Sequence, residues 1–268
     1  MRLRSLGWLF LGAIAGWGVL QAQKPFKAYT GVEYEAFVLP GDWQKPAEWT
    51  RARLIYPSFS SVHGIRDGYH RWTIDYPRSD RHLLQGIRRL TRIDTRSVEQ
   101  GVELDGDDEI YNWPSLYAVE VGYWNLTDRQ AAQLREYLLR GGFLMVDDFH
   151  GTVEWNNFAA GMAKIFPDRE IVDLDNKDPI FHVIYDLDDR FQVPGLQYLY
   201  TRSMFEYDGF QAKWRGVYDD KGRVMVAICH NMDLGDAWEH SDNPVYPERF
   251  AALAYRIAVN YWVYDLTH

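Results

Sequence analysis

Between residues 116 and 166 the chain alternates twice between a short apolar run and a helical pattern, with few residues left for each connection. LYAV at 116–119 reads as a compact apolar strand. Thr127-Asp-Arg-Gln130 is a capping box, in which the Thr hydroxyl and the Gln side chain satisfy each other's backbone donors. The helix it starts carries Ala131, Leu134, Tyr137 and Leu138 on one face and stops at Gly141-Gly142, where left-handed backbone is easily accommodated. FLMV at 143–146 is an unbroken apolar run, the pattern of a strand covered on both faces. A second helix, with Trp155, Phe158, Ala159 and Met162 inward, runs on until Pro167. That order, with short connections, calls for right-handed crossovers and a parallel sheet.

The flanking sequence extends this α/β layout. A strand is expected at 53–56 and a loop over 58–75. A helix follows over about 79–90, capped by Ser79 or Asp80, with Leu83, Leu84, Ile87 and Leu90 at helical spacing. Residues 172–212 are less regular and read as an insertion lying over the sheet. Segments 214–218 and 223–229 flank Asp219-Asp-Lys-Gly222, a hairpin signal that gives the sheet an antiparallel edge. Tyr246-Pro247 opens a long helix with Phe250, Leu253, Ala254, Ile257, Ala258 and Tyr261 inward. There is no internal repeat and no linker. The expected organisation is a leader over 1–22, an irregular segment over 23–50 and a single domain over 51–268.

Residues 1–22 read as a signal peptide. Arg2 and Arg4 precede an uncharged apolar run over 6–20, too short to span a bilayer at ~20 residues per helix, and Leu20-Gln21-Ala22 supplies a cleavage-type end. An exported, periplasmic or cell-envelope address follows, with membrane contact only through an uncleaved leader. Without the two leader arginines, 27 basic residues face 38 acidic ones, a net charge of −11. That disfavours nucleic acid as a partner. The single cysteine, Cys229, rules out an intrachain disulfide and thiolate zinc clusters, and reads as a buried small hydrophobe.

In open parallel sheets, ligands bind beyond the carboxyl ends of the strands. Two segments leave strands with the chemistry for that: Asp147-Asp148-Phe149-His150-Gly151, and the run from His230 to Trp238. Candidate ligand-binding residues are therefore Asp147, Asp148, His150, His230, Asn231, Asp233 and Asp236, with Trp238 as a stacking wall. Asp75 and Tyr76, just before the first helix, are further candidates. Paired carboxylates with imidazoles could hold a divalent metal or share acid/base work; the same Asp residues also suit helix caps and Asx-turns. No Gly-x-Ser-x-Gly, P-loop or dinucleotide Gly fingerprint is present. Arg78, Arg81, Arg88, Arg89, Arg92 and Arg96 make the first helix basic and read as a solvated face.

The strings WTIDYPRSDRHLLQGIRRLT, LREYLLRGGFLMVDDFHG, EWNNF, IFPDR, HNMDLGDAWE and YRIAVNYWVYDLTH resemble domain-of-unknown-function family 4159, an uncharacterised bacterial family, over roughly residues 51–268. The resemblance implies a class I glutamine amidotransferase-like fold, a flavodoxin-like three-layer sandwich. That fold places its nucleophilic cysteine on a strand-to-helix turn. Here Asp147-Asp148 stands at the most similar turn, so glutaminase activity is not carried over. The expected function is a non-glutaminase domain that binds a small molecule, glycan or envelope protein at the strand rim. The alternatives are a metal-assisted hydrolase on the same residues and a scaffold using 172–212. No organic cofactor is expected; a divalent metal is the one these groups could hold.

Overall fold

The computed structural model describes residues 24–31, 37–59 and 70–268. The leader assigned to residues 1–22 lies outside them, and none of the described helices is long and apolar enough to cross a membrane. The sheet has seven strands: β1 (Ala52–Ile55), β2 (Gln100–Glu103), β3 (Ser115–Val119), β4 (Phe143–Asp147), β5 (Val172–Asp173), β6 (Lys213–Tyr218) and β7 (Val224–His230). Their order is β2-β1-β3-β4-β7-β6-β5. The first five are mutually parallel, while β6 pairs antiparallel with β7 and β5 antiparallel with β6. The parallel part thus runs in the flavodoxin order 2-1-3-4-5.

Among the described residues, five helices longer than one turn flank it: α1 (Arg78–Leu90), α2 (Asp128–Leu139), α3 (Gly151–Ile165), α4 (Leu234–Glu239) and α5 (Glu248–Thr267). Alternation along the strands divides the core in two. Tyr117, Met145 and Cys229 point into one cluster with Leu84 of α1, Trp238 of α4 and Ile257 of α5. Leu116, Val146 and Ile228 point into the other, with Leu134 of α2 and Phe158 of α3. The result is a three-layer sandwich. Cys229 is fully buried, as expected for a small hydrophobe, and burial pushes its thiol well above the usual range.

The local signals hold where they are short-range. Thr127 and Gln130 form the capping box, and Gly141 takes φ 108° at the end of α2. Around the β6–β7 hairpin, Asp219 accepts from the Lys221 and Arg223 backbones at 2.8 and 2.9 Å. Strand β2, at an edge and flanked by α1, had no apolar run to announce it. The 172–212 segment supplies the edge strand β5 and then crosses the β7 exit. There Gln192 donates to the Asn231 carbonyl at 2.8 Å, and the Asp233 amide donates to Val193 at 2.9 Å.

The start of α1 departs from expectation. Pro77 holds the cap position and makes no side-chain bond, and Ser79 and Asp80 lie inside the first turn. Asp80 faces the sheet instead, paired with Arg51 and Arg53 at 2.8 Å each, all three side chains fully buried. Arg53 also donates to the Trp72 and Ile74 carbonyls, and Arg51 stacks on Tyr117 at 3.8 Å. Nor is the basic stretch a uniformly solvated face. Arg81 is buried against Glu99 at 3.3 Å, and buried Arg96 donates to Val98, Glu99 and Gln100. Arg88, Arg89 and Arg92 stay exposed. Hydrophobic periodicity places a helix face but does not tell which charges on it will meet a counter-charge.

Candidate functional site

The chain leaves β1 toward β2 and β3 toward β4, in opposite directions along the sheet, so the crevice between their C-terminal ends is the switch point where doubly wound sheets bind ligands. The turns at this rim are unusual. Glu120 after β3, Asp148 after β4, Asn231 after β7 and Asp75 before α1 all have positive φ, at 55°, 52°, 64° and 60°. Asp and Asn tolerate that region, whereas for Glu it is strained. The turns hold one another in place. The Glu120 amide donates to the Asp147 carbonyl at 3.1 Å, Asp148 to Met232 at 3.1 Å and Asn231 to Phe149 at 3.0 Å. The Tyr56 hydroxyl bridges from β1 to the Val119 and Glu120 carbonyls at 2.5 and 2.9 Å.

Several predicted site residues serve this framework. Asp147 is fully buried, and its Oδ2 accepts from the Leu234 and Gly235 amides at 2.8 and 3.0 Å and from the Tyr117 hydroxyl at 3.2 Å. It docks α4 onto β4; burial pushes its carboxyl up to about 7 against the pull of those bonds. Asp233 caps α4 through the Asp236 amide at 2.7 Å, and Asp236 accepts from the Leu196 amide at 2.5 Å. Asn231 clamps the start of α3 to the insertion, accepting from Gly151 at 2.9 Å and donating to Gln211 at 2.8 Å. His230 packs against both Phe149 and Trp155, with ring centroids 4.8 and 4.9 Å away. Burial pushes it down to about 4, so it is neutral at pH 7.

Two candidates belong to the core. Trp238 was expected as a stacking wall, but it is fully buried between Tyr117 and Arg51 and has no free face. Its position on the inner side of α4 decides this. Tyr76 is likewise buried, packed on Trp72, with its hydroxyl accepting from the Tyr29 amide at 3.2 Å.

Asp148 and His150 do face a cavity. It measures about 80 Å³, and the residues that join them come from distant segments: Arg71, Glu120, Tyr123, Glu154, Glu206 and Tyr207. Arg71 pairs with Glu120 at 3.0 Å and lies over the Tyr123 ring at 3.8 Å. Glu154 accepts from the Tyr123 hydroxyl at 2.6 Å and from the His150 amide at 2.5 Å. His150 Nε2 lies 3.2 Å from Asp148 Oδ1. Burial dominates every titration here. It raises Glu120 to about 8 and Glu206 to about 7, raises Asp148 well above the carboxylate range, and lowers His150 to about 3. Glu120 could have been found from the sequence, since it directly follows the strand read at 116–119. Arg71, Glu154 and Glu206 carried no local signal.

Two neighbouring features complete the rim. Beyond the 70–73 turn, a cleft of about 910 Å³ lies over the ends of β1 and β2, lined among others by Tyr29, Tyr56, Trp72, Glu103 and Asp105. Nearer α4, one carboxylate oxygen each from Asp75, Asp233 and Asp236 lies within 4.8 Å of the others. Asp75 Oδ2 also closes on Gly235, where an added Cβ would meet it at 2.1 Å.

No curated protein matches the sequence. One family profile does, described as a domain of unknown function (DUF4159) and matched over residues 61–266. That span takes in α1, the whole rim from Arg71 to Asp236, and α5. The chain belongs to this family of domains of unknown function.

Proposed function

We propose that the protein is a ligand-binding domain acting outside the cytoplasm, with its site at the acidic pocket on the β1/β3 switch point. The observation that carries this reading is the convergence of Glu120, Asp148, Glu154 and Glu206 on one cavity, with left-handed backbone at Glu120 and Asp148 that is strained at Glu120. Strain of this kind costs on the order of 1–3 kcal/mol per residue and tends to gather at functional sites. The address outside the cytoplasm rests on the leader-like sequence of residues 1–22. Two facts support a non-glutaminase role within an amidotransferase-like sandwich: the turn after β4 carries Asp148, and Cys229 is locked inside β7.

The reading is tested by amide chemical-shift mapping of residues 23–268 against a panel of small polar compounds: amines, amino acids, and mono- and disaccharides. Perturbations are expected at Glu120, Asp148–Gly151, Glu154 and 206–208. Hits that map consistently to another face would place the site elsewhere.

A metal-assisted hydrolase is the second reading, favoured by the Asp75, Asp233 and Asp236 oxygens. Their 4.8 Å limit is about twice a Ca–O bond of ~2.4 Å. Calorimetric titration with Ca²⁺, Mn²⁺ and Zn²⁺ should then give micromolar binding that Asp233→Asn removes. Absence of binding to the unaltered protein would end this reading.

A further inference from the structure

Away from the rim, we infer that the groove between α1 and α5 is a second binding site, for a small molecule that carries a carboxylate or phosphate group beside an apolar body. The groove measures about 560 Å³, within the ~300–1,000 Å³ of small-molecule sites, and shares no lining residue with the acidic pocket. It gathers cations that folding does not use. Arg78, Arg81 and Arg88 of the basic stretch each pair with a carboxylate. Arg89 makes no hydrogen bond, ion pair or ring contact among the described residues, and neither does Arg256, which joins it on the groove wall from α5. Gln85, one turn before Arg89 on the same side of α1, also lines the groove and has no hydrogen bond among the described residues.

These donors stand on a fixed frame. An added Cβ at Gly86 would meet the Tyr255 ring at 2.3 Å, so α1 and α5 approach here more closely than a side chain would allow. The Tyr255 hydroxyl donates to the His82 carbonyl at 3.1 Å and lies 3.1 Å from Ser241 Oγ. Tyr255 thus ties α5 both to α1 and to the segment after α4. A ligand entering the groove therefore does not bear the cost of ordering the helices that carry its contacts.

Charge and surface narrow the ligand. The acidic residue on the groove wall, Asp242, is engaged by Arg78 at 2.7 Å. The groove therefore keeps a positive excess in a protein of net charge −9. Guanidinium groups match the geometry of carboxylate and phosphate with paired N–H bonds. The rest of the wall is apolar: Leu90 is 46% exposed, and Tyr185, Ala252 and the Tyr255 ring are half-buried. An inorganic ion would leave that surface wet, whereas an apolar body attached to the anion covers it.

The test is titration of the protein with phenyl phosphate, phenylacetate and neutral phenylacetamide, followed by amide chemical shifts. The anions should bind and perturb residues 85–90 and 252–256, and phenylacetamide should not. Arg89→Gln and Arg256→Gln, both at exposed positions where folding is preserved, should each weaken anion binding by about 10- to 100-fold, the loss of charge-assisted hydrogen bonds. Arg92→Gln removes the same charge from an exposed arginine outside the groove and should leave binding essentially unchanged. Phenyl phosphate binding about tenfold or more tighter than phenylacetate would identify phosphate as the anionic group; equal or weaker binding would identify a carboxylate. Equal losses in all three variants would reduce the effect to general charge attraction and overturn the inference. It is overturned equally if phenylacetamide binds as tightly as phenylacetate, or if neither anion perturbs the groove. Each of these failures leaves the rim reading standing, because the two sites share no residue.

Discussion

Replacing Asp80 by Asn should destabilise the protein by about 3–5 kcal/mol, the range for removing one partner from a buried ion pair. The carboxylate is the shared counter-charge of Arg51 and Arg53, and none of the three side chains is exposed. Arg53 keeps its bonds to Trp72 and Ile74 when Asp80 is lost, but Arg51 keeps only the Tyr117 and Trp238 rings. Most of the penalty therefore falls on Arg51. In a domain of this size the loss corresponds to a melting temperature lower by about 6–20 °C. Combining Asp80→Asn with Arg51→Met should recover part of it, because the stranded charge is then removed. A single-variant loss below about 1 kcal/mol would show that this cluster behaves like a surface pair and does not anchor α1.

Stability should peak at mildly acidic pH and fall as pH rises from about 5 to 8. In the fold, burial raises Glu120 and Asp265 to about 8 and Asp147 and Glu206 to about 7, and lifts Asp148 and Asp233 well above their ordinary values. Between roughly pH 4.5 and 7 these groups keep protons that the unfolded chain has lost, so rising pH favours unfolding. His150 and His230 act in the opposite sense. Burial lowers them to about 3 and about 4. The unfolded chain binds their protons below about pH 6.5, which removes stability as pH drops toward 4. With Glu99 and Glu154 also raised by burial, eight carboxyls oppose two histidines up to that point, and above it the decline is unopposed until the folded carboxyls ionise. A net excess of one proton across two pH units is worth about 3 kcal/mol. Urea midpoints at about pH 3.5, 5, 6.5 and 8 should therefore be highest near 5. A midpoint that climbs steadily to pH 8 would contradict this assignment.

Much of the architecture was legible because its signals are local. The apolar runs of β3, β4 and β7, the Thr127–Gln130 box, Gly141 and the inward face of α5 depend on neighbours within a few residues. Each expresses a backbone or burial preference that holds wherever the element lies. The rule that ligands collect at strand C-terminal ends also led to the rim that carries the acidic cavity, and to Asp148 and His150 on its wall.

The tertiary structure decided which polar groups at that rim are structural and which are left over. Asp147 and Asp148 are adjacent and chemically alike, yet the alternation of the strand end sends Asp147 under α4 and Asp148 toward the pocket. Nothing local to Arg71, Glu154 or Glu206 links them. They meet because a turn before α1, the first turn of α3 and the insertion all cross the same switch point. A lone acidic residue on a helix or loop is satisfied by water in the unfolded chain. Only when folding brings several of them together around one cavity do they form a site.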